Sequence, residues 1–115
     1  MLLPDEEVRD IAAERTFQAA DDDERERFVI EQDGAEAELR YRLRGSRLLL
    51  LHTEVPSQLE GQGIGGSLVR AAVARATREG LTLVPHCRFA NAWLRRHSAV
   101  AETVEIAWPP DKEVS

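Results

Sequence analysis

The sequence predicts a mixed α/β domain in which an antiparallel meander of strands precedes a strand–helix–strand–helix unit. Residues 35–43 alternate between apolar and charged side chains, which is typical of a half-buried strand. Residues 64–79 place apolar side chains at helical spacing. Because a strand is predicted on each side of that helix, the two strands should be parallel neighbours joined by a right-handed crossover.

The elements can be placed along the chain from turn residues and periodicity. Asp33-Gly34 is a strong hairpin signal. Gly80 suits the left-handed backbone conformation that often ends an α-helix. The apolar run at 48–51 suggests a central strand covered on both faces. In chain order we predict a helix or frayed arm over 5–19, a loop over 21–26, strands over 28–32, 35–43 and 47–55, a helix over 64–79, a strand over 81–85, a helix over 89–97 and a last strand within 103–108.

Length and composition favour one globular domain. The chain has 115 residues, of which 43% are hydrophobic and 31% charged. We expect an arm over residues 1–25, the folded domain over 26–108 and a tail over 109–115. No apolar run reaches membrane-spanning length, and the N-terminus lacks the pattern of a signal peptide. The expected location is therefore cytoplasmic, without membrane contact.

The net charge and the cysteine content indicate which ligands and which cellular compartment suit the chain. A net charge of −6 argues against nucleic-acid binding, although residues 70–96 contain six arginines and one glutamate, which suits an anionic ligand. Cys87 is the only cysteine, so no disulfide forms within the chain, and a lone thiol fits a reducing compartment. One cysteine and three scattered histidines lack metal-ligand spacing, so we expect no metal site.

A glycine-rich segment opens the long predicted helix. Glycines let the backbone come close to a ligand, and the free N–H groups of the first helical turn favour an anion. The segment therefore predicts a cradle for phosphate or pyrophosphate. Its sequence is Glu60-Gly61-Gln62-Gly63-Ile64-Gly65-Gly66-Ser67.

Two common nucleotide sites fit this loop less well. A P-loop ends in Gly-Lys-Ser or Gly-Lys-Thr, whereas this loop ends in Gly-Gly-Ser. Gly61, Gly63 and Gly66 match the G-x-G-x-x-G pattern of a dinucleotide fold. That pattern, however, follows its strand directly, and an acid stands at the end of the next strand. Here His86 and Cys87 occupy that strand end, and the chain is too short for two mononucleotide halves.

Three segments around the glycine loop form a pattern that is more specific than the loop alone. Leu-His-Thr-Glu-Val-Pro (51–56), Glu-Gly-Gln-Gly-Ile-Gly (60–65) and Leu-Val-Arg-Ala-Ala (68–72) resemble the strand, pyrophosphate loop and helix of the GNAT acyltransferase superfamily. His-Thr-Glu-Val (52–55), Val84-Pro85-x-Cys87-x-Phe89 and Arg95-Arg96-His97 are similar to its small, single-domain N-acetyltransferase members. The resemblance covers roughly residues 26–104.

This resemblance implies that the ligand is acetyl-CoA and the second substrate an unidentified amine. It places the Val55 N–H near the acetyl carbonyl, residues 62–67 at the pyrophosphate and Trp93 where relatives usually carry tyrosine. Glu60 departs from the basic residue or glutamine that usually begins the loop, and its charge opposes a pyrophosphate. The implied cofactor-binding residues are Val55, Gln62, Gly63, Ile64, Gly65, Gly66, Ser67 and Trp93.

Three residues are candidates for the chemistry of acetyl transfer. The reaction needs a base for the amine, a donor for the carbonyl oxygen and an acid for the departing thiolate. Cys87 could protonate the thiolate or take the acetyl group itself. His52 and Glu54 share one strand face, and either could draw a proton from the amine. The structural alternatives are a buried cysteine, a core histidine and a solvent-facing carboxylate.

Two functions stay open at this point. One is an N-acetyltransferase, which is favoured if His52, Glu54 and Cys87 line one gap. The other is a non-catalytic acyl-CoA sensor or interaction module, which is favoured by Glu60 and by the lack of a tyrosine on the second helix. A monomer and a homodimer are both compatible with the sequence.

Overall fold

The computed structural model describes residues 17–110. These residues form one six-stranded sheet in which the strands follow chain order. The strands are β1 (Ala20–Asp22), β2 (Arg27–Gln32), β3 (Ala35–Arg44), β4 (Arg47–Glu54), β5 (Thr82–Pro85) and β6 (Glu105–Ile106). The helices are α1 (Ile64–Glu79), α2 (Arg88–Arg96) and α3 (Ser98–Ala101), and a 3-10 turn spans Ser57–Leu59 before α1. The mixed α/β fold class predicted from the sequence is confirmed.

The antiparallel half of the sheet follows from its turns and its alternation. Asp33 and Gly34 have φ values of 51° and 77°, which is the two-residue turn expected at the β2–β3 hairpin. Along β3, Ala37, Leu39 and Tyr41 are buried. The charged residues between them are not buried. The predicted β2–β3 hairpin and the predicted alternation along β3 are therefore confirmed.

The parallel half of the sheet begins with the crossover through α1. Strands β4 and β5 pair in parallel from Arg47↔Thr82 to Leu50↔Pro85, as predicted. Gly80 ends α1 with φ 68°, and its N–H donates to the Ala76 carbonyl. The core lies between one face of the sheet and helices α1 and α2. It includes Phe28, Ile30, Leu39, Leu48, Leu50, Leu68, Val69, Leu83, Ala90 and Leu94.

Several local predictions were wrong. Residues 20–22 form β1, which pairs with β2, so the loop expected at 21–26 is a short strand and a turn. The short helix α3 (Ser98–Ala101) was not predicted, whereas the last strand predicted within 103–108 is present as Glu105–Ile106. Leu51 is 38% exposed, so β4 is covered on its helix-facing side and not on both.

Other predictions are not tested by these residues. The helix expected over 5–19 lies almost entirely outside the described residues, although residues 17–19 have no regular structure. The division into arm, domain and tail stays a prediction. Within residues 17–110, no helix is long and apolar enough to cross a membrane.

A buried arginine ties β1 to the second half of α1. The Arg75 side chain is 8% exposed, and its Nη1 lies 2.9 Å from an Asp21 carboxylate oxygen, 3.1 Å from Asp23 and 2.7 Å from the Tyr41 hydroxyl. Its Nε donates to Glu79 at 3.2 Å. Burial lowers the pKa of Arg75, but the hydrogen bond to Glu79 and the charge of Asp21 raise it more, so the net pKa lies above its usual range. This Arg75 network explains why an acidic segment joins the sheet.

Candidate functional site

A gap opens between β4 and β5 where their pairing stops. The last paired residues are Leu50 and Pro85, and the Cys87 N–H then donates to the Leu50 carbonyl at 2.8 Å. Strand β4 continues to Glu54, which still pairs with Glu38 of β3. Because β5 ends while β4 goes on, the β5 side of β4 is open beyond Leu50.

A bulge in β4 decides which side chains face this gap. In β3, Arg40 pairs with His52 and the following residue, Tyr41, pairs with Leu50. Leu51 therefore has no partner in β3 and is the extra residue of a β-bulge. The extra residue shifts the alternation by one position. Thr53 therefore lies on the helix-facing side of the sheet with Leu50, while His52 and Glu54 lie on the opposite side.

The glycine loop leads directly into α1. Gly61 and Gly63 have φ values of 82° and 80°, a region that favours glycine. The first hydrogen bond of α1 runs from the Ser67 N–H to the Gly63 carbonyl at 3.1 Å. The amides of the three residues between them therefore precede the hydrogen-bond ladder of the helix, which is the arrangement that attracts an anion.

The glycines of this loop serve two different purposes. A Cβ built on Gly63 has no heavy atom within 4 Å, so that side of the loop faces open space. A Cβ on Gly65 would stand 2.7 Å from Phe89 Cζ, and one on Gly66 would stand 2.6 Å from Trp93 Nε1. Gly65 and Gly66 thus allow two aromatic side chains of α2 to pack against the start of α1, while Gly63 leaves room for a ligand.

These elements enclose an open cleft of about 1410 Å³. All eight residues predicted to bind the cofactor line this one cleft. They are Val55, Gln62, Gly63, Ile64, Gly65, Gly66, Ser67 and Trp93. The Ser67 hydroxyl, in addition, accepts a hydrogen bond from the Phe17 N–H at 3.0 Å, which links the segment before β1 to the first turns of α1.

Cys87 lies behind Thr53 and does not itself line the cleft. It is the N-cap residue of α2, is 5% exposed, and its Sγ accepts a hydrogen bond from the Ala90 N–H at 3.5 Å. The Thr53 hydroxyl lies 3.1 Å from the same sulfur, and Thr53 itself lines the cleft. Thr53 therefore connects the thiol with the cleft.

His52 and Glu54 form a solvent-exposed pair on the other side of the sheet. The His52 Nε2 lies 3.3 Å from a Glu54 carboxylate oxygen, and the side chains are 60% and 66% exposed. The structure brings these two residues together, as their shared strand face predicted. It separates them from Cys87 by the thickness of the sheet, because the bulge at Leu51 turns them away from the helices.

The sequence predicted a basic region over residues 70–96 but assigned none of its arginines to the site. Two of these arginines and the adjacent histidine form the basic end of the cleft, which we define as Arg70, Arg96 and His97 around Trp93. The Trp93 and His97 rings stack with their centroids 3.8 Å apart, and the Arg70 guanidinium lies 5.1 Å from the Trp93 centroid. His97 Nδ1 is 2.8 Å from the Trp93 carbonyl oxygen, which can only accept, so Nδ1 carries the proton. Arg70 could have been found, because it lies four residues after Gly66 on one helix face.

Within residues 17–110, no three His, Cys, Asp or Glu side chains are grouped so that they could hold a metal ion. The cleft combines helix-start amides, a glycine beside open space, aromatic walls and cationic side chains, which are features of an anion-binding site.

Comparison with known proteins identifies the family of this fold and cleft. A family model described as GCN5-related N-acetyl-transferase matches residues 27–103, so the chain belongs to this acetyltransferase family. A solution NMR structure of a GCN5-like candidate N-acetyltransferase from Staphylococcus aureus is similar, with a TM-score of 0.62 and 25% identity. The match covers 85% of this chain and 95% of that chain. No curated protein matches the sequence.

Proposed function

We propose that this protein transfers an acetyl group from acetyl-CoA to the nitrogen of an amine. The observation that carries the proposal is the cleft at the start of α1, where the helix amides and the open side of Gly63 meet in one place. A diphosphate fits this cradle, because the amides supply donors and Gly63 supplies space without a side chain. Bound there, acetyl-CoA would supply an acetyl group already activated as a thioester.

The residues around the gap divide into a cofactor side and an acceptor side. We assign Gln62, Gly63, Ile64, Gly65, Gly66 and Ser67 to the diphosphate, Trp93 to the wall of the cleft and the Val55 N–H to the acetyl oxygen. An oxygen that gains negative charge during transfer is stabilised by such a donor. The gap beside β4 gives an amine access from the opposite side of the sheet.

The proposed acid and base stand on opposite sides of that gap. The His52–Glu54 pair faces the side from which the amine would enter, so either residue can accept the amine proton directly or through water. Cys87 lies on the cofactor side, so its thiol can give a proton to the sulfur that leaves. The two groups would serve different steps: the base accepts the proton of the amine as its nitrogen bonds to the carbonyl carbon, and the thiol protonates the CoA thiolate when the tetrahedral intermediate collapses and the carbon–sulfur bond breaks.

A second candidate function is a non-catalytic acyl-CoA sensor or interaction module. Three observations favour it: Cys87 is almost completely buried, Glu60 places a carboxylate at the cleft, and His52 and Glu54 face the side of the sheet opposite to Cys87, so the three residues do not line one gap. Both functions require CoA to bind, and only the first requires turnover.

One experiment tests the proposal in two steps. Calorimetry with CoA should give a binding signal, and the Gly63→Val variant should lose most of it, because the side chain would fill the phosphate space and strain a left-handed residue. Gly45→Val, which strains a left-handed glycine in the β3–β4 turn, is the matched control and should keep CoA binding.

Intact-mass spectrometry with acetyl-CoA and a panel of amines then separates the two functions. Acetylated amine supports the transferase, and CoA binding without any product supports the sensor. If millimolar CoA gives no heat and no thermal shift, the site assignment itself is wrong.

A further inference from the structure

Arg70 is a cation of the cleft that the diphosphate cradle does not use. It follows Gly66 by four residues and Ser67 by three, so it lies on the cleft-facing side of α1. Its guanidinium lies 5.1 Å from the centroid of the Trp93 ring, which favours a cation over its face. The packing of Trp93 against Gly66 therefore helps to hold Arg70 at the cleft.

The charge of Arg70 is not neutralised by the described carboxylates. Among residues 17–110, the two other arginines of α1 form ion pairs: Arg75 with Asp21, Asp23 and Glu79, and Arg78 with Glu79. No carboxylate of this part of the chain lies within 4.0 Å of Arg70. An exposed arginine at a cleft with no acidic partner is available for an anionic ligand group.

Arg70 lies past the free amides at the start of α1 and borders a second cavity. Its Cα is six residues past Ile64, which is about 9 Å along the helix axis. Side chains on a helix lean toward its N-terminus, so the guanidinium reaches back toward the loop without lying on it. A second cavity, of about 340 Å³, shares Ser67 and Arg70 with the main cleft, so room continues past Arg70.

We propose that Arg70, held against Trp93, binds the 3′-phosphate of CoA and makes the site discriminate CoA from 3′-dephospho-CoA. This inference rests on the proposed function. CoA carries two separate anionic groups, a diphosphate and a ribose 3′-phosphate. The cleft likewise has two separate anion-binding features, the amides that follow Gly63 and the Arg70 guanidinium. Arg96 also lines the cleft and has no carboxylate partner among residues 17–110, but it lies on α2. Arg70 lies on the same helix as the free amides, one turn after Ser67, and its guanidinium is positioned at the Trp93 ring, so we assign the second anionic group to Arg70.

Calorimetry with CoA and with 3′-dephospho-CoA tests the assignment. We expect the wild-type protein to bind CoA about tenfold more tightly or better, since a charge-assisted hydrogen bond to phosphate contributes on that scale. Arg70→Gln should bring the two affinities within about twofold of each other, while the affinity for 3′-dephospho-CoA changes little. Arg70→Lys should keep part of the preference, because it keeps the charge.

Arg44→Gln is the control for net charge. It removes one exposed arginine at the β3–β4 turn, outside both cavities, so the preference for CoA should stay at the wild-type value. Circular dichroism should show the same melting temperature for all variants, because both arginines are on the surface.

Three results would overturn the assignment. One is a wild-type protein that binds both ligands equally. Another is an Arg70→Gln variant that loses the same affinity for both ligands, which would place Arg70 at the diphosphate. The third is a wild-type protein that binds neither ligand, which would overturn the proposed function as well. The first two results leave the proposed function intact, because in both of them CoA binds.

Discussion

The two ends of helix α1 serve the molecule in different ways. At its first turn, glycines leave the backbone open to the cleft, and β4 and β5 have separated. Farther along the helix, the Arg75 side chain donates hydrogen bonds to Asp21 of β1, Tyr41 and Glu79 and so fixes the helix to the antiparallel strands. We call the surroundings of the first turn, with the gap between β4 and β5, the open edge, and the contacts around Arg75 the closed edge. We expect substitutions at the first edge to change ligand binding or turnover, and substitutions at the second to change stability.

The largest effect is expected at the open edge, from Cys87→Ser. If the thiol protonates the departing sulfur, acetyl transfer should slow by roughly 10²–10⁴-fold while CoA affinity stays nearly unchanged. Initial rates and calorimetry on the same preparation measure both quantities. Wild-type turnover in the variant would show that Cys87 has no chemical role. An acetylated Cys87 in the wild-type protein without acceptor would instead identify it as the nucleophile.

At the closed edge, Arg75→Met should lower the free energy of unfolding by about 2–4 kcal/mol, because Asp21 and Tyr41 lose a buried charged partner. Arg78→Met is the matched control on the same helix, with a side chain that is 64% exposed, and should change stability by less than about 0.5 kcal/mol. Urea unfolding gives both values. CoA affinity should be unchanged in each variant, and a large loss in Arg75→Met would mean that the two ends of α1 are coupled.

The same closed edge predicts a dependence of stability on alkaline pH. Burial, together with the hydrogen bond to Asp21, raises the pKa of Tyr41 above its usual range. In the unfolded chain tyrosine ionises near pH 10, while the folded protein keeps Tyr41 neutral. The contribution of Tyr41 to the free energy of unfolding is therefore fully present below pH 10. It is lost as the pH rises further, by up to about 1.4 kcal/mol per pH unit.

Urea unfolding between pH 9 and 11 measures this slope. The Tyr41→Phe variant should have a smaller slope, since Tyr41 is the only tyrosine of the chain. Equal slopes in the two proteins would assign the pH dependence to other groups.

The smallest effect is expected at the open edge again, from Glu60→Arg. Glu60 is exposed and lines the cleft, so its charge opposes a bound diphosphate through solvent. Exposed charge pairs contribute about 1 kcal/mol or less, so CoA should bind up to about tenfold more tightly. Glu60→Gln should give an intermediate value. Unchanged affinity in both variants would show that the carboxylate points away from the ligand.

The sequence predicted the elements whose pattern is local and strong. Alternation over β3, the Asp33-Gly34 turn and the helical period of α1 fix those elements without help from the rest of the fold. The glycine loop was also predictable, because the position of glycines before a helix has a direct consequence for backbone amides. All eight residues predicted for the cofactor consequently line one cleft.

What the sequence could not show depends on tertiary contacts. Strand β1 has an acidic sequence that is typical of a loop. It pairs with β2, and the side chain of Arg75, which is distant in sequence, forms ion pairs with Asp21 and Asp23. The bulge at Leu51 has no signal in the sequence, since a one-residue slip is set by pairing with β3. It determines that His52 and Glu54 lie apart from Cys87, which simple alternation along β4 could not reveal.

The position of Trp93 in the cleft wall gives the protein an intrinsic fluorescence signal for ligand binding. The chain has two tryptophans. Trp93 forms part of the cleft wall beside the His97 ring, whereas Trp108 lies under the guanidinium of Arg95, 4.1 Å from its ring centroid. A molecule that enters the cleft should alter the emission of the first indole, while the second acts as an internal reference. Replacing Trp108 with phenylalanine would leave a single intrinsic fluorophore, so that binding can be followed by stopped flow without any attached dye.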